Sequence, residues 1–183
     1  MRLSAVVLLL VCISVVSLGA QSGSPRFEAA AAYQFMRDQD IAKRDPDLSA
    51  NFPAGWMASG GVNLWSPVAA IGEVSGSSKT LSIPGDKPKL RVYTFMGGPR
   101  LRRAGRTRIN PFAQVLFGSA RASTSVLGVR DTVTDFAYQP GGGVELTTAG
   151  RFGVRLEGDY RIVRTAGHNS KQPRFVAAAV FGF

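Results

Sequence analysis

Residues 151–162 read RFGVRLEGDYRI, and apolar and charged side chains alternate along the whole stretch. One set of alternate positions holds Phe152, Val154, Leu156, Gly158, Tyr160 and Ile162, and the other holds Arg151, Gly153, Arg155, Glu157, Asp159 and Arg161. Successive side chains of a β-strand point to opposite faces, so this period of two predicts a strand with one apolar and one charged face. A surface strand of a soluble sheet would fit these residues equally well, so the rest of the chain must decide which face is inside.

Seven further stretches alternate in the same way or are apolar throughout, and none carries clear helix start and stop signals. The alanine-rich first stretch is also compatible with a helix. The stretch 89–98 is apolar on both faces, so its facing stays open, and Gly141–Gly143 predict a bend or bulge in the sixth strand. The eight predicted strands are 26–35, 56–64, 68–75, 89–98, 111–120, 135–146, 151–162 and 174–183.

Within these strands the bulky apolar side chains share one parity, and the charged and small side chains share the other. A soluble barrel buries its large apolar residues, whereas a barrel in lipid turns them outward. Rotating the strand 151–162 would turn Arg155 and Arg161 toward lipid, at a cost of about 2–4 kcal/mol each near mid-membrane. The sequence therefore predicts an all-β fold, an eight-stranded antiparallel up-and-down transmembrane β-barrel.

The predicted connections alternate between long and short, as the short periplasmic turns and longer outer loops of outer-membrane barrels do. This alternation predicts four extracellular loops, and an even strand count puts both chain ends on one side. The long connections are 36–55, 76–88, 121–134 and 163–173, the short ones are 65–67 and 147–150, and 100–110 is intermediate.

The first twenty residues, MRLSAVVLLLVCISVVSLGA, combine one basic residue, an apolar run and a small-residue ending. This layout predicts a secretory signal peptide cleaved after Ala20, since an N-terminal membrane helix needs about 20 apolar residues. Cys12 is interpreted as a hydrophobe inside the signal, because the preceding Val11 is not small as a lipoprotein signal requires. Cleavage would remove one of the 22 basic residues and none of the 12 acidic ones, leaving one domain, 21–183, with a formal charge of +9.

The last predicted strand, RFVAAAVFGF, carries three phenylalanines on one face, Phe175, Phe181 and Phe183. Together with the signal peptide, the eight strands and the segments VYTFMGGPRLR (92–102) and NPFAQVLFG (110–118), it resembles the small outer-membrane β-barrel proteins of Gram-negative bacteria. That group includes the transmembrane domain of outer membrane protein A. The resemblance implies an outer-membrane location, outer-membrane lipids as partners, and a C-terminal aromatic signal that the barrel assembly machinery reads.

The interior of an eight-stranded barrel is just wide enough for side chains to fill it. Because buried charges must be paired, we expect Arg155 and Arg161 to form ion pairs with glutamates of neighbouring strands. The residues predicted to form this lumen charge network are Glu28, Gln34, Glu73, Gln114, Glu145, Arg155, Glu157, Asp159 and Arg161.

The segment RLRRAGRTR, 100–108, holds five arginines. Nucleic acid is excluded as a partner, because the chain is predicted to be exported and no aromatic residues interleave with the arginines. The loop order puts this segment on the periplasmic side, where we expect it to bind anionic phospholipid headgroups. The residues predicted to do so are Arg100, Arg102, Arg103, Arg106 and Arg108.

No motif predicts a catalytic, cofactor or metal site. His168 and Ser170 have the His-x-Ser spacing used by some lipid A deacylase barrels, but they fall in a predicted outer loop without a matching acid. GSSKT (76–80) lacks the Gly-Lys step of a phosphate loop, and one histidine with no cysteine after Cys12 argues against zinc. The aspartates within 37–47 fit no calcium loop.

These observations predict a barrel with a filled polar lumen and a structural or interaction role through its four extracellular loops, without enzymatic activity. The alternatives are a small-solute pore, an enzyme that modifies envelope lipids, and a soluble lipocalin-like binder. The sequence does not identify an extracellular ligand or an oligomeric state.

Overall fold

The computed structural model describes residues 26–37, 51–80, 89–103, 108–126, 129–147, 151–165 and 168–183. These residues form eight antiparallel strands, and β8 pairs with β1 to close the barrel. The strands are β1 Phe27–Arg37, β2 Asn51–Trp65, β3 Val68–Thr80, β4 Lys89–Arg102, β5 Ile109–Val126, β6 Val129–Thr147, β7 Phe152–Thr165 and β8 His168–Gly182. The predicted fold class is confirmed, while the predicted signal peptide lies outside the described residues.

No helix in these ranges has the length and apolar character needed to cross a membrane. We call the end of the barrel where β1 begins and β8 ends the lower end, and the opposite end the upper end. The odd-to-even connections, β1–β2, β3–β4, β5–β6 and β7–β8, lie at the upper end.

Alternation along each strand sorts the side chains into a lumen face and an outward face. In β7, Arg155 and Arg161 are buried while Val154 and Leu156 are about half exposed. The facing of β4, left open by the sequence, is decided in the structure, where Thr94 and its even-numbered neighbours point inward. Along the middle of the strands the charged residues therefore lie inside and the bulky apolar residues outside, which is the inverse of a soluble lipocalin-like barrel.

Four aromatic rings form a row on the outer wall, at the lower ends of β1, β8 and β7. Phe27 stacks on Phe183 at 6.0 Å between ring centroids, and Phe183 stacks on Phe181 at the same distance. Phe181 continues the row to Phe152, at 4.8 Å. Aromatic girdles of this kind lie at the membrane–water interface of transmembrane barrels.

Two predicted long loops are largely strand. β5 runs on to Val126 and β6 begins at Val129, so most of 121–134 is a hairpin whose polar residues pair across it, as Ser123 and Thr132 do at 3.2 Å. Likewise β7 extends to Thr165 and β8 begins at His168. The prediction failed because these strand segments lack an apolar face, which is the feature that alternation detects.

Of the bend or bulge predicted at Gly141–Gly143, the bulge is wrong, since β6 keeps one register with β5 and β7 across the triplet. The glycines instead allow close approach, because a Cβ at Gly141 would collide with the carboxylate of Asp159. Register shifts occur elsewhere, between Gln34 and Met36 against β2 and between Asn63 and Trp65 against β3.

Candidate functional site

The described residues contain one large constellation of chemical groups, the charged side chains of the lumen. Its centre is Arg174, which β8 points inward opposite Asp159 of β7. The Arg174 side chain is fully buried, and its guanidinium donates to Asp159 Oδ2 at 2.5 Å and to Glu73 Oε1 at 2.6 Å. It also donates to Glu157 Oε1 at 3.1 Å and to Gln34 Oε1 at 3.0 Å. One cation thus binds three carboxylates from β3 and β7 and an amide from β1.

A second cluster near the lower end is centred on Glu28. Its carboxylate accepts from Arg100 Nη1 at 2.8 Å and from Arg155 Nη2 at 2.9 Å, and it also pairs with Arg102. Arg155 reaches Glu145 Oε2 as well, at 2.5 Å. These contacts connect β1 with β4, β6 and β7 across the interior.

Gln114 joins the two clusters. Its Oε1 accepts from Arg100 Nε at 2.8 Å and Nη2 at 2.7 Å, while its Nε2 donates to Glu157 Oε1 at 2.9 Å. An amide suits this position because it accepts from a cation on one side and donates to an anion on the other.

Above the Arg174 cluster the network becomes less charged. Arg161 donates from Nε to Gln139 Oε1 at 2.9 Å and from Nη2 to Ser75 Oγ at 3.3 Å. Its nearest carboxylate is that of Glu73, at 3.8 Å. Ser75 is in turn 2.6 Å from Thr94, so neutral groups continue the network toward the upper end.

The charges of the network balance. Arg100, Arg102, Arg155, Arg161 and Arg174 face Glu28, Glu73, Glu145, Glu157 and Asp159, so five cations meet five anions. Most of these side chains are almost inaccessible to solvent. Such an arrangement is stable only while every charge keeps its partners, because an unpaired buried charge costs several kcal/mol.

Apolar side chains also face the lumen, which the sequence did not predict. The ring of Phe112 lies under two arginines of the network, 4.6 Å from the Arg100 guanidinium and 5.4 Å from that of Arg155. A buried apolar cluster contributed by β3 to β7 consists of Ala69, Ile71, Met96, Leu116, Ala120, Ala137 and Val163.

All nine residues predicted for the lumen network lie at lumen-facing positions, and eight of them are buried; Glu145 is partly exposed. Three arginines of the network were not predicted. The sequence assigned Arg100 and Arg102 to headgroup binding, but β4 continues through both and turns them into the lumen. Arg174 is the first residue of the last predicted strand and shares the lumen-facing parity of Val176, but it was not assigned to the network.

The other predicted site residues lie outside the network. Arg103 and Arg108 are exposed at the β4–β5 connection, and Arg106 lies outside the described residues. His168 and Ser170 belong to β8 rather than to a loop. The side chain of Phe175 is 65% exposed on the outer wall, and Phe181 and Phe183 belong to the lower aromatic row.

Among the side chains that the structure describes, no group of three or more His, Cys, Asp or Glu residues is placed to hold a metal ion. The aspartates considered for calcium all fall within 38–50, beyond the described ranges.

No protein-family model and no curated protein matches the chain. Solved structures do share its fold. Neisserial surface protein A (NspA) superimposes with a TM-score of 0.67 at 12% identity, covering 88% of this chain and all of NspA. The attachment invasion locus protein Ail of Yersinia pestis, in complex with the heparin analogue sucrose octasulfate, gives 0.62 at 14% identity over 88% of this chain and all of Ail.

The N-terminal β-barrel domain of Pseudomonas aeruginosa OprF gives a TM-score of 0.55 at 8% identity and covers 87% of this chain and the whole domain. Identities this low establish the fold and nothing beyond it. The chain has the eight-stranded fold of the small outer-membrane β-barrels.

Proposed function

We propose that this chain, which has an outer-membrane barrel fold, resides in a Gram-negative outer membrane and acts as a structural or interaction protein rather than as a pore. The observation that carries the proposal is the neutral ion network in the lumen. Strands that are not neighbours in the barrel can contact each other only across the interior. Arg174 of β8 binds Glu73 of β3, and Arg100 of β4 binds Glu28 of β1, so the network bridges the lumen.

A solute would have to break these contacts to pass. The ion pairs are buried, and opening one leaves uncompensated charges at a cost of about 3–5 kcal/mol. The apolar cluster around Leu116 occupies further space on one side of the lumen. An interior of this kind favours a plugged scaffold over a permanent channel.

If the lumen is plugged, partners can contact only the outside of the barrel, and we assign this role to the upper end. β5 and β6 form a long hairpin there, and its polar side chains pair across the two strands. The similar proteins include one named for attachment and invasion and one named as a surface protein. These names support an interaction role, without indicating what this chain binds.

Conductance across a planar bilayer tests the plugged lumen. We expect the refolded full-length protein to give no stable single-channel steps. A matched variant, Arg174→Gly, removes the central cation and should produce brief openings if the network is what blocks the lumen. Regular conductance steps from the unaltered protein would establish the pore alternative instead.

Cell fractionation tests the location. We expect the protein in the outer-membrane fraction, with faster electrophoretic migration before boiling than after it. Recovery as a soluble periplasmic protein would reject the proposal. For the enzyme alternative, a lipid-modifying activity that disappears in Ser170→Ala would establish a catalytic role that the proposal denies.

A further inference from the structure

The outer wall has a hollow between β1, β7 and β8 with a volume of about 510 Å³. Its floor is low because Gly158 and Ala177 are small, and its walls are high because Tyr33, Phe35 and Phe175 stand around them. The hollow is open on its outer side, so it is a shallow groove in the wall rather than an enclosed cavity. The exposed lining is overwhelmingly hydrocarbon, so the hollow suits an alkyl chain rather than a polar molecule.

Basic side chains lie on the upper side of this hollow. Arg37 is the next outward position after Phe35 on β1, and Lys171 lies four residues before Phe175 on β8, toward the upper end. Both are exposed. The register Met36↔Arg174 puts Arg37 opposite Pro173, which makes Lys171 its diagonal neighbour at about 7–8 Å.

Negative charge is missing from this face. The outward positions of β1, β7 and β8 carry no acidic residue anywhere in their described lengths. Arg164 adds a third outward cation on β7, over the ring of Tyr138 at 5.5 Å. Arg37 lies four residues above Tyr33, and Lys171 lies four residues above Phe175, which corresponds to about 13 Å along each strand. This spacing lets the phosphate of a lipid contact the cations while its acyl chain lies in the hollow.

We propose that this face binds a phosphorylated lipid of the surrounding membrane, with an acyl chain in the hollow and the phosphate between Arg37 and Lys171. The inference rests on the proposed outer-membrane location and adds a partner and a site to it. The two longest connections in the chain, β1–β2 and β3–β4, join strand ends at the upper end, and long connections are typical of the outer side of such barrels, so the lipid belongs to the outer leaflet.

A second copy of the chain fits this face less well. Two hollows are both concave, so they cannot fill each other. A symmetric contact would also bring Arg37 and Lys171 of each copy near their equivalents, without an outward acidic residue on the described parts of these strands to compensate. A lipid supplies both a convex alkyl chain and the missing negative charge.

The binding test uses the full-length folded protein in non-ionic detergent. Trp56 is a suitable reporter because it faces outward and pairs with Tyr33 at the edge of the hollow. The chain has two tryptophans, so a Trp65→Phe background leaves only this one. The probe is a diacyl phosphatidic acid with brominated acyl chains, compared with brominated phosphatidylcholine, and the readout is quenching of Trp56 fluorescence.

Two pairs of variants separate charge from shape. Arg37→Gln with Lys171→Gln should weaken phosphatidic acid binding about 25-fold, since each basic residue near a lipid surface contributes about fivefold. Its control, Arg91→Gln with Arg121→Gln, removes exposed outward cations from β4 and β5 and should change binding less than twofold.

Gly158→Leu should fill the hollow and abolish the preference for long acyl chains, because a Cβ there meets its nearest neighbour only at 3.9 Å and the barrel can accept it. Gly72→Leu is the control, since that glycine faces outward on β3 and a Cβ there meets nothing within 4 Å.

Three other results would overturn the proposal. Equal losses in target and control variants would indicate general annular lipid, and displacement by inorganic phosphate alone would indicate a free-anion site. Crosslinked dimers that exclude the lipid would assign the face to a second copy. Heat-modifiable migration of every variant establishes that the barrel is folded, so a negative result here is distinct from failure of the proposed location in cell fractionation.

Discussion

The lumen and the outer wall of this barrel differ in their charge, although the same eight strands form both: the lumen pairs cations with anions, and the upper outer wall, among the residues described, carries cations alone. In the lumen, five arginines meet five carboxylates. On the upper outer wall the exposed charges are all positive, namely Arg37, Arg91, Arg121, Arg164 and Lys171. Every acidic side chain that the structure describes occupies a lumen-facing position, that is Glu28, Glu73, Asp135, Glu145, Glu157 and Asp159.

The difference follows from the surroundings of each face. A desolvated charge in the lumen must be matched locally, because no solvent compensates for it. An outward cation near the membrane surface reaches water and anionic headgroups, so it needs no protein partner. The positive excess of the chain is therefore tolerated on the outside and excluded from the inside.

The largest expected effect comes from removing the central cation of the lumen. Arg174→Met keeps much of the side-chain volume but leaves Glu73, Glu157 and Asp159 without their shared partner. We expect the free energy of unfolding to fall by about 3–5 kcal/mol, measured by urea unfolding from lipid vesicles. Arg121→Met, an outward cation, is the control and should change it by less than about 0.5 kcal/mol. Equal effects of the two variants would contradict the contrast between lumen and wall.

The reverse experiment introduces a cation into the middle of the outer wall, where the outward residues are apolar. Leu156 lies mid-strand on the lipid face of β7, about half exposed, and Leu156→Arg should cost about 2–4 kcal/mol of stability in vesicles. Leu101 faces outward at the lower end of β4, so Leu101→Arg should cost only about 0–1 kcal/mol. If both variants lose the same stability, the depth assigned to these positions is wrong.

The sequence predicted the strands and their facing wherever one face was apolar. Alternation in 151–162 placed Arg155, Glu157, Asp159 and Arg161 correctly. Turning four charged side chains toward lipid would cost too much free energy, so they can only face the lumen. The upper part of the β5–β6 hairpin was missed, because its residues are mostly polar on both faces and show no alternation.

The arginines of the network were harder to predict, because a basic cluster near a turn looks the same whichever way its residues point. Arg100 and Arg102 could have been found from Leu101 between them, which continues the alternation of β4. Arg174 had the parity of Val176 as its only signal. That it binds Glu73 of β3 depends on closure of the barrel, and no local pattern encodes that contact.

A partial loss of charge balance should have a smaller effect. Glu145 contacts Arg155, but Arg155 keeps Glu28 as a second carboxylate. We expect Glu145→Gln to cost roughly 1.5 kcal/mol, the lower range for a hydrogen bond to a charged group, in the same unfolding measurement. Asp135→Asn, whose carboxylate accepts from the hydroxyl of Thr165, is the neutral-partner control and should cost less than about 1 kcal/mol. A loss as large as that of Arg174→Met would mean that the two clusters unfold as one unit.

The smallest effect concerns the aromatic row on the lower rim, where neighbouring strands contact each other through aromatic rings rather than through ion pairs. Phe152 lies 4.8 Å from Phe181 with the rings tilted by 54°, a geometry that contributes about 0.5–1.5 kcal/mol beyond burial. Phe152→Leu should lower the free energy of unfolding by about this amount. Phe117→Leu, at an outward position of β5 away from the row, is the control and should lose only the contribution of apolar surface burial. A double variant with Phe181→Leu should cost less than the two single changes together, because the shared contact can be lost only once. Strict additivity would indicate that the rings act separately and that lipid, rather than their neighbours, holds them at the rim.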